Sequence, residues 1–139
     1  MSKRLFPLVT ALAFACSSCG SSNKLYNVSG RVMYKGAPAA GATVFFQRQG
    51  ADPLHEQNIM GIVQPDGSFN LVCGPHGEGA PPGDYDVLIE WRERTGAGKG
   101  LAEKGSDRLK GRYADPKHPL LRAVVKAKPN SLPTFELTD

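Results

Sequence analysis

The chain has 139 residues, with 17 Lys and Arg against 13 Asp and Glu. That length allows one domain plus a leader, leaving about 115 residues to fold. Lys3 and Arg4 fall in the leader, so the remainder carries a formal charge of only +2. So small and dispersed a charge does not select nucleic acid as a partner.

The first residues are Met1-Ser-Lys-Arg, then an apolar run of eleven residues from Leu5 to Ala15, then small residues. A basic start, a short apolar run and small residues form a signal peptide, too short to span a bilayer comfortably. The run ends in Ala13-Phe14-Ala15-Cys16-Ser17-Ser18-Cys19-Gly20-Ser21-Ser22, which resembles the bacterial lipoprotein processing site. Cys19 is favoured as the lipidated residue because Cys-Gly-Ser-Ser makes the more typical mature start. Cys16 is the alternative, with Ala13-Phe14-Ala15 before it, and an ordinary cleaved signal peptide with incidental cysteines stays open. The reading is therefore a lipoprotein signal peptide and lipidation site over 1–19, a tether over 20–25 and a folded domain over 26–139. Palmitate-type acyl chains contribute about 0.8 kcal/mol per buried methylene, and more than one chain gives stable anchoring. The expected partner is the membrane, through that lipid.

Val28 to Phe46 opens the domain. Val28, Gly30, Val32 and Tyr34 alternate with Ser29, Arg31, Met33 and Lys35, the period of a half-buried strand. Gly36, Pro38 and Gly41 break the run, and Ala42 to Phe46 resumes it with β-branched and aromatic residues. The stretch reads as hairpin-like, with direct pairing or crossing between sheets left open. Gln47 to Gln57 is a polar loop. Asn58 to Gln64 and Ser68 to Cys73 read as a hairpin around the turn Pro65-Asp66-Gly67. Gly74 to Gly83 holds four Gly and three Pro and is a loop.

Asp84 to Arg92 is the clearest strand, with Tyr85, Val87, Ile89 and Trp91 on one face. Tyr85 can bury its ring while its hydroxyl reaches backbone. Glu93 to Gly111 carries Arg, Lys, Glu and Gly with Leu101 and Leu109 as its main apolar residues, and reads as an insertion or loosely helical loop. Leu121, Ala123, Val125 and Ala127 alternate inward. Pro129-Asn130-Ser131 turns the chain, and Thr134 to Leu137 closes it with Phe135 and Leu137 inward. Seven short strands with no convincing helix give an all-β chain, most simply a two-sheet sandwich.

The segments VSGRVMYKGAPAAGATVFF, VQPDGSF, GEGAPPGDYDVLIEW and RYADPKHPL, in that order, resemble transthyretin-like domains, also called carboxypeptidase regulatory-like domains. The likeness is to versions in small planctomycete-type bacterial lipoproteins. It implies a seven-stranded Greek-key β-sandwich of transthyretin (prealbumin) type, Ig-like in architecture. The resemblance also brings in that family's hydroxyisourate hydrolase branch, whose active site is a set of His and Arg residues with a Tyr-Arg-Gly-Ser C-terminus. This chain ends Phe135-Glu-Leu-Thr-Asp139, so that activity is not implied.

No constellation carries chemistry. His55, His76 and His118 fall in loops and lack the His-Glu-x-x-His spacing of a zinc enzyme, so no metal or other cofactor is expected. Gly96 to Gly100 lacks the spacing of a phosphate loop. Cys73 shares the apolar face of its strand with Phe69 and Leu71 and reads as a buried, inert thiol. For binding, the residues to weigh are Tyr113, Arg92 and Arg94 around the cationic loop, with Trp91 directed inward. The expected function is a non-catalytic, lipid-anchored envelope domain with a structural or interaction role and an envelope protein or glycan as partner. The alternatives are a soluble periplasmic carbohydrate- or peptide-binding module and, further off, a hydrolase.

Overall fold

The computed structural model describes residues 24–51, 57–94 and 104–139. Cys16, Cys19, the leader, most of the tether, His55 and residues 95–103 lie outside them. In chain order the strands are β1 (Val28–Tyr34), β2 (Ala37–Pro38), β3 (Thr43–Arg48), β4 (Ile59–Ile62), β5 (Ser68–Asn70), β6 (Val72–Cys73), β7 (Gly83–Glu90), β8 (Arg92–Arg94), β9 (Lys104–Asp107), β10 (Leu121–Val125), β11 (Asn130–Ser131) and β12 (Phe135–Leu137). A single 3-10 turn, Gly74–His76, accounts for all the helix among the described residues. The chain is all-β.

Two five-stranded sheets and a two-stranded ribbon organise these segments. In the first sheet β1 is central. Strands β11 and β12 run parallel to it along one flank, and β5 and β2 pair antiparallel along the other. The second sheet is antiparallel, in the order β10-β7-β3-β4-β6. Both sheets feed one core. Val28, Val32, Phe69, Phe135 and Leu137 from the first meet Val44, Phe46, Ile59, Tyr85, Val87 and Ile89 from the second. At about 1.5–3 kcal/mol per fully buried large side chain, this shared core is the main favourable contribution to folding. The result is β-sandwich-like.

The expected faces hold well along the long strands. Val28 and Val32 are buried in β1, and Tyr85, Val87, Ile89 and Trp91 line the inner face at and just beyond β7. The Tyr85 hydroxyl donates to the Pro81 carbonyl at 2.7 Å in a buried bond, the backbone reach expected of it. Cys73 is buried, and its thiol donates to Gln57 Oε1 at 3.2 Å. Burial pushes that thiol up from its ordinary value, the inert state expected of a core cysteine.

Other expectations are refined or corrected. Of the two alternatives left open for the opening stretch, the structure shows the crossing: β1 turns back into the short β2, and β3 continues in the opposite sheet. Lys35 and Gly36 both have positive φ, +49° and +79°, the requirement of a tight primed turn. Ser68 to Cys73 is likewise two strands. Its first half pairs with β1 and its second with β4, so the chain changes sheet at Leu71. Gly61 permits that crossing, because a Cβ there would lie 2.6 Å from the Asn70 carbonyl oxygen.

The seven expected strands thus become twelve shorter segments among the described residues. The last inward residue of β10 is Val125, and Ala127 is exposed. Beyond Val125 the Asn130 side chain accepts from Lys126 N and donates to the Lys126 and Lys128 carbonyls. That local ring of bonds turns the chain before the alternation would end. A portion of the expected 93–111 loop is also regular, since β8 and β9 pair as a ribbon with a register shift between Arg92 and Arg94.

Candidate functional site

The residues singled out for binding converge on one end of the molecule, where β1 and β7 both finish. Trp91 follows β7 and is 8% exposed. Its indole N–H donates to the Ala40 carbonyl at 2.9 Å, and its ring meets Tyr34 edge-on at 5.4 Å. The Arg108 guanidinium lies over the ring, 4.2 Å from its centroid. Such a stack contributes about 0.5–1 kcal/mol at an exposed site. Trp91 therefore caps the core, as its inward register implied.

The turn that supplies Arg108 is fixed from within. Asp107 Oδ1 accepts from the backbone N–H of Trp91 and of Leu109, both at 3.0 Å, and Oδ2 accepts from Gly111 N–H at 2.9 Å. An aspartate side chain that bonds nearby backbone amides competes with regular structure and stabilises turns. Leu109 is buried beneath the turn, and Arg108 N–H donates to the Trp91 carbonyl at 2.7 Å. With Leu109 buried and Asp107 engaged, Arg108, Lys110 and Arg112 are left exposed.

Tyr113 is buried rather than presented as a platform. Its carbonyl accepts from Ile89 N–H at 2.8 Å, and its hydroxyl accepts from Thr138 N–H at 3.1 Å. Burial raises the hydroxyl's pKa, but the Thr138 bonds and the nearby Arg112 guanidinium outweigh it and hold the group below its ordinary value. Arg92 is exposed and pairs with Glu90 Oε2 at 3.0 Å. Arg94 is placed by its backbone opposite Lys104 in the ribbon. The structure thus brings Arg92, Arg94 and Tyr113 to one end, with Tyr113 as support. Sequence reasoning did not single out Asp107 as the clamp. Its signal was local: an aspartate followed at short range by an apolar residue and a glycine.

Of the described histidines, His76 is exposed in the 3-10 turn. His118 is exposed beside Asp115, its Nδ1 2.9 Å from Oδ2. That contact and the Lys117 N–H hold the Asp115 carboxyl below its usual range. Among the described residues no three His, Cys, Asp or Glu side chains gather as a metal site would require.

A second feature lies on the outer face of the second sheet. Register places Leu88, Phe45, Met60 and Val72 in one transverse row. At its far end is a cleft of about 520 Å³, floored by Met60, Ile62 and Val72 and rimmed by Asn58, Gln64 and Asn70. Ile62 and Val72 are 50% and 41% exposed. An apolar floor with a few amides is the composition of a small-ligand cleft.

The sequence matches no protein-family model and no curated protein. Among solved structures the chain is similar to a DUF3823 family protein from Parabacteroides merdae, with 16% identity and a TM-score of 0.40. The alignment covers 80% of this chain and 44% of that one, so the chain spans less than half the length of that relative.

Proposed function

We propose that this protein is a non-catalytic, lipid-anchored domain of the cell envelope with a structural or interaction role. The observation that carries the reading is the leader, with its basic start, eleven apolar residues and Cys16/Cys19 pair, joined by a short polar link to a β-domain. The described fold takes hold soon after that link, where Tyr26 and Ala80 exchange two backbone hydrogen bonds at 3.0 Å. Acylation at Cys19, or alternatively Cys16, tethers the domain outside the cytoplasm, on the inner or outer membrane.

The fold assigned under this reading is the transthyretin-like, Greek-key sandwich implied by the sequence resemblance. The buried bond from Tyr85 to a carbonyl four residues upstream supports it, because that corner recurs in Greek-key sandwiches. Radioactive fatty acid supplied to producing cells tests the anchor. Label is expected on the protein and is expected to disappear in the Cys16→Ala/Cys19→Ala double variant. An unlabelled protein, or label that survives both substitutions, refutes it.

A second reading, a soluble periplasmic carbohydrate- or peptide-binding module, is favoured by the cleft over Met60, Ile62 and Val72. Binding on a neutral-glycan or peptide array that is lost in Met60→Lys would support it, and a blank array would remove it.

A further inference from the structure

Charge is segregated along the molecule. Residues 92–94 and 104–112 hold six Lys and Arg against two acidic residues, Glu93 and Asp107. They account for more positive charge than the whole mature chain, so the remaining residues are net acidic. One of those two carboxylates, Asp107, is turned inward onto three backbone amides. Glu93 makes a loose contact of 3.6 Å with Arg108. Lys110 and Arg112 stand exposed on the clamped turn, and Lys110 holds φ at +54°, a left-handed conformation that Asn also tolerates.

The direction of this end follows from the strands. β1 and β7 both start where Tyr26 meets Ala80 and finish where Tyr34 meets Trp91. The seven residues of β1 separate these ends by about 20 Å at 3.3 Å per residue. The chain reaches Lys24 at the first end, and the cationic turn sits at the second.

We infer that the cationic turn binds an anionic glycan, a polysaccharide carrying carboxylate or sulfate groups, on the side of the domain facing away from its tether. The inference rests on the anchored reading above for its orientation. A bilayer is the poorer partner, because the tether leaves from the opposite end. An acidic protein is also poorer, since protein interfaces are built around an apolar centre. Here Trp91, Leu109 and Tyr113 are all buried. Arginine forks held on a fixed turn match the paired oxygens of carboxylates and sulfates along a flexible polymer.

The test uses the full chain purified in non-ionic detergent, applied to immobilised polygalacturonate, dextran sulfate and neutral dextran, and to phosphatidylglycerol vesicles. Retention on both polyanions at low salt, release as salt rises and no retention on neutral dextran are expected. The Lys110→Asn/Arg112→Gln variant should bind roughly threefold to tenfold more weakly at an unchanged Tm, in keeping with the loss of two exposed charges. Arg112→Gln alone replaces it if the double variant unfolds. Absence of retention, equal retention of the variant, or binding to vesicles without binding to either polyanion overturns the inference. A chain that binds polyanions but takes up no fatty acid supports the ligand and refutes the anchor. A labelled chain that binds neither polyanion does the reverse.

Discussion

Tyr85→Phe isolates one oxygen in the middle of the fold. Tyr85 is fully buried, and its ring packs against Phe46 at a centroid distance of 5.6 Å. Phenylalanine keeps that ring and removes the donor that meets the Pro81 carbonyl at 2.7 Å. Because Pro81 is itself buried, its carbonyl loses this donor in a place of restricted water access. A buried acceptor left unsatisfied costs about 1–3 kcal/mol. For a domain of this size that lowers Tm by about 4–12 °C, at roughly 4 °C per kcal/mol. Thermal unfolding followed by circular dichroism, with a urea titration for ΔG, gives the comparison. Tyr34→Phe is the control: its hydroxyl meets the exposed carboxylate of Asp139, so the change should stay within about 0.5 kcal/mol. A Tyr85→Phe protein as stable as the Tyr34→Phe control would show that the corner bond contributes nothing, and the argument from it would fall.

Gly61→Ala places a methyl group 2.6 Å from the Asn70 carbonyl oxygen and 3.3 Å from the Phe69 ring. Relief requires backbone movement, so a loss of about 1–3 kcal/mol in urea unfolding is expected, and an unchanged midpoint would contradict the crossing at Leu71. Asp107→Ala removes three hydrogen bonds to backbone N–H groups; hydrogen exchange at Trp91, Leu109 and Gly111 should accelerate together, and acceleration at only one would break the clamp into unrelated contacts. In acid, Asp66 is held below its usual range by the Ser68 hydroxyl and N–H, and Asp115 by His118 and the Lys117 N–H. Both carboxyls bind protons more weakly folded than unfolded, so their contribution is complete above the ordinary aspartate range and is lost as pH falls through the folded values. Tm measured from pH 6 downward should therefore decline, and the decline should be shallower in Asp66→Asn; identical slopes would refute the assignment.

Sequence patterning located faces better than partners. Tyr85, Val87, Ile89 and Trp91 could be placed inward because each strand residue alternates sides whatever lies beside it. The same alternation cannot say which sheet a strand joins. Ser68 to Cys73 therefore reads as one strand although its halves pair with β1 and β4. The missing signal was Gly61, whose absent side chain makes room for another strand's backbone rather than for a turn. The ribbon β8–β9 was illegible for a different reason: Arg-Glu-Arg and Lys-Gly-Ser-Asp carry no apolar alternation, and their pairing rests on backbone and on the Arg92 guanidinium, which donates to the Gly105 carbonyl at 3.3 Å. At the candidate site the exposed cations were visible in the sequence. The inward role of Asp107 depends on where Trp91 N–H points, which is set by the fold.

The parallel alignment of β1 with β11 and β12 has a mechanical consequence. Val28 lies opposite Asn130 and Tyr34 opposite Leu137, so the start of β1 and the finish of β12 are at opposite ends of the same seam. Tension applied between those two points runs along the seam and loads its backbone hydrogen bonds in shear, all at once. In a hairpin pulled at its open end they would break in succession. Single-molecule extension between residue 24 and residue 139 should give one abrupt rupture, and a gradual, low-force peel would refute this. A domain held at one end and gripped at the other would then act as a stiff link that stays folded under load.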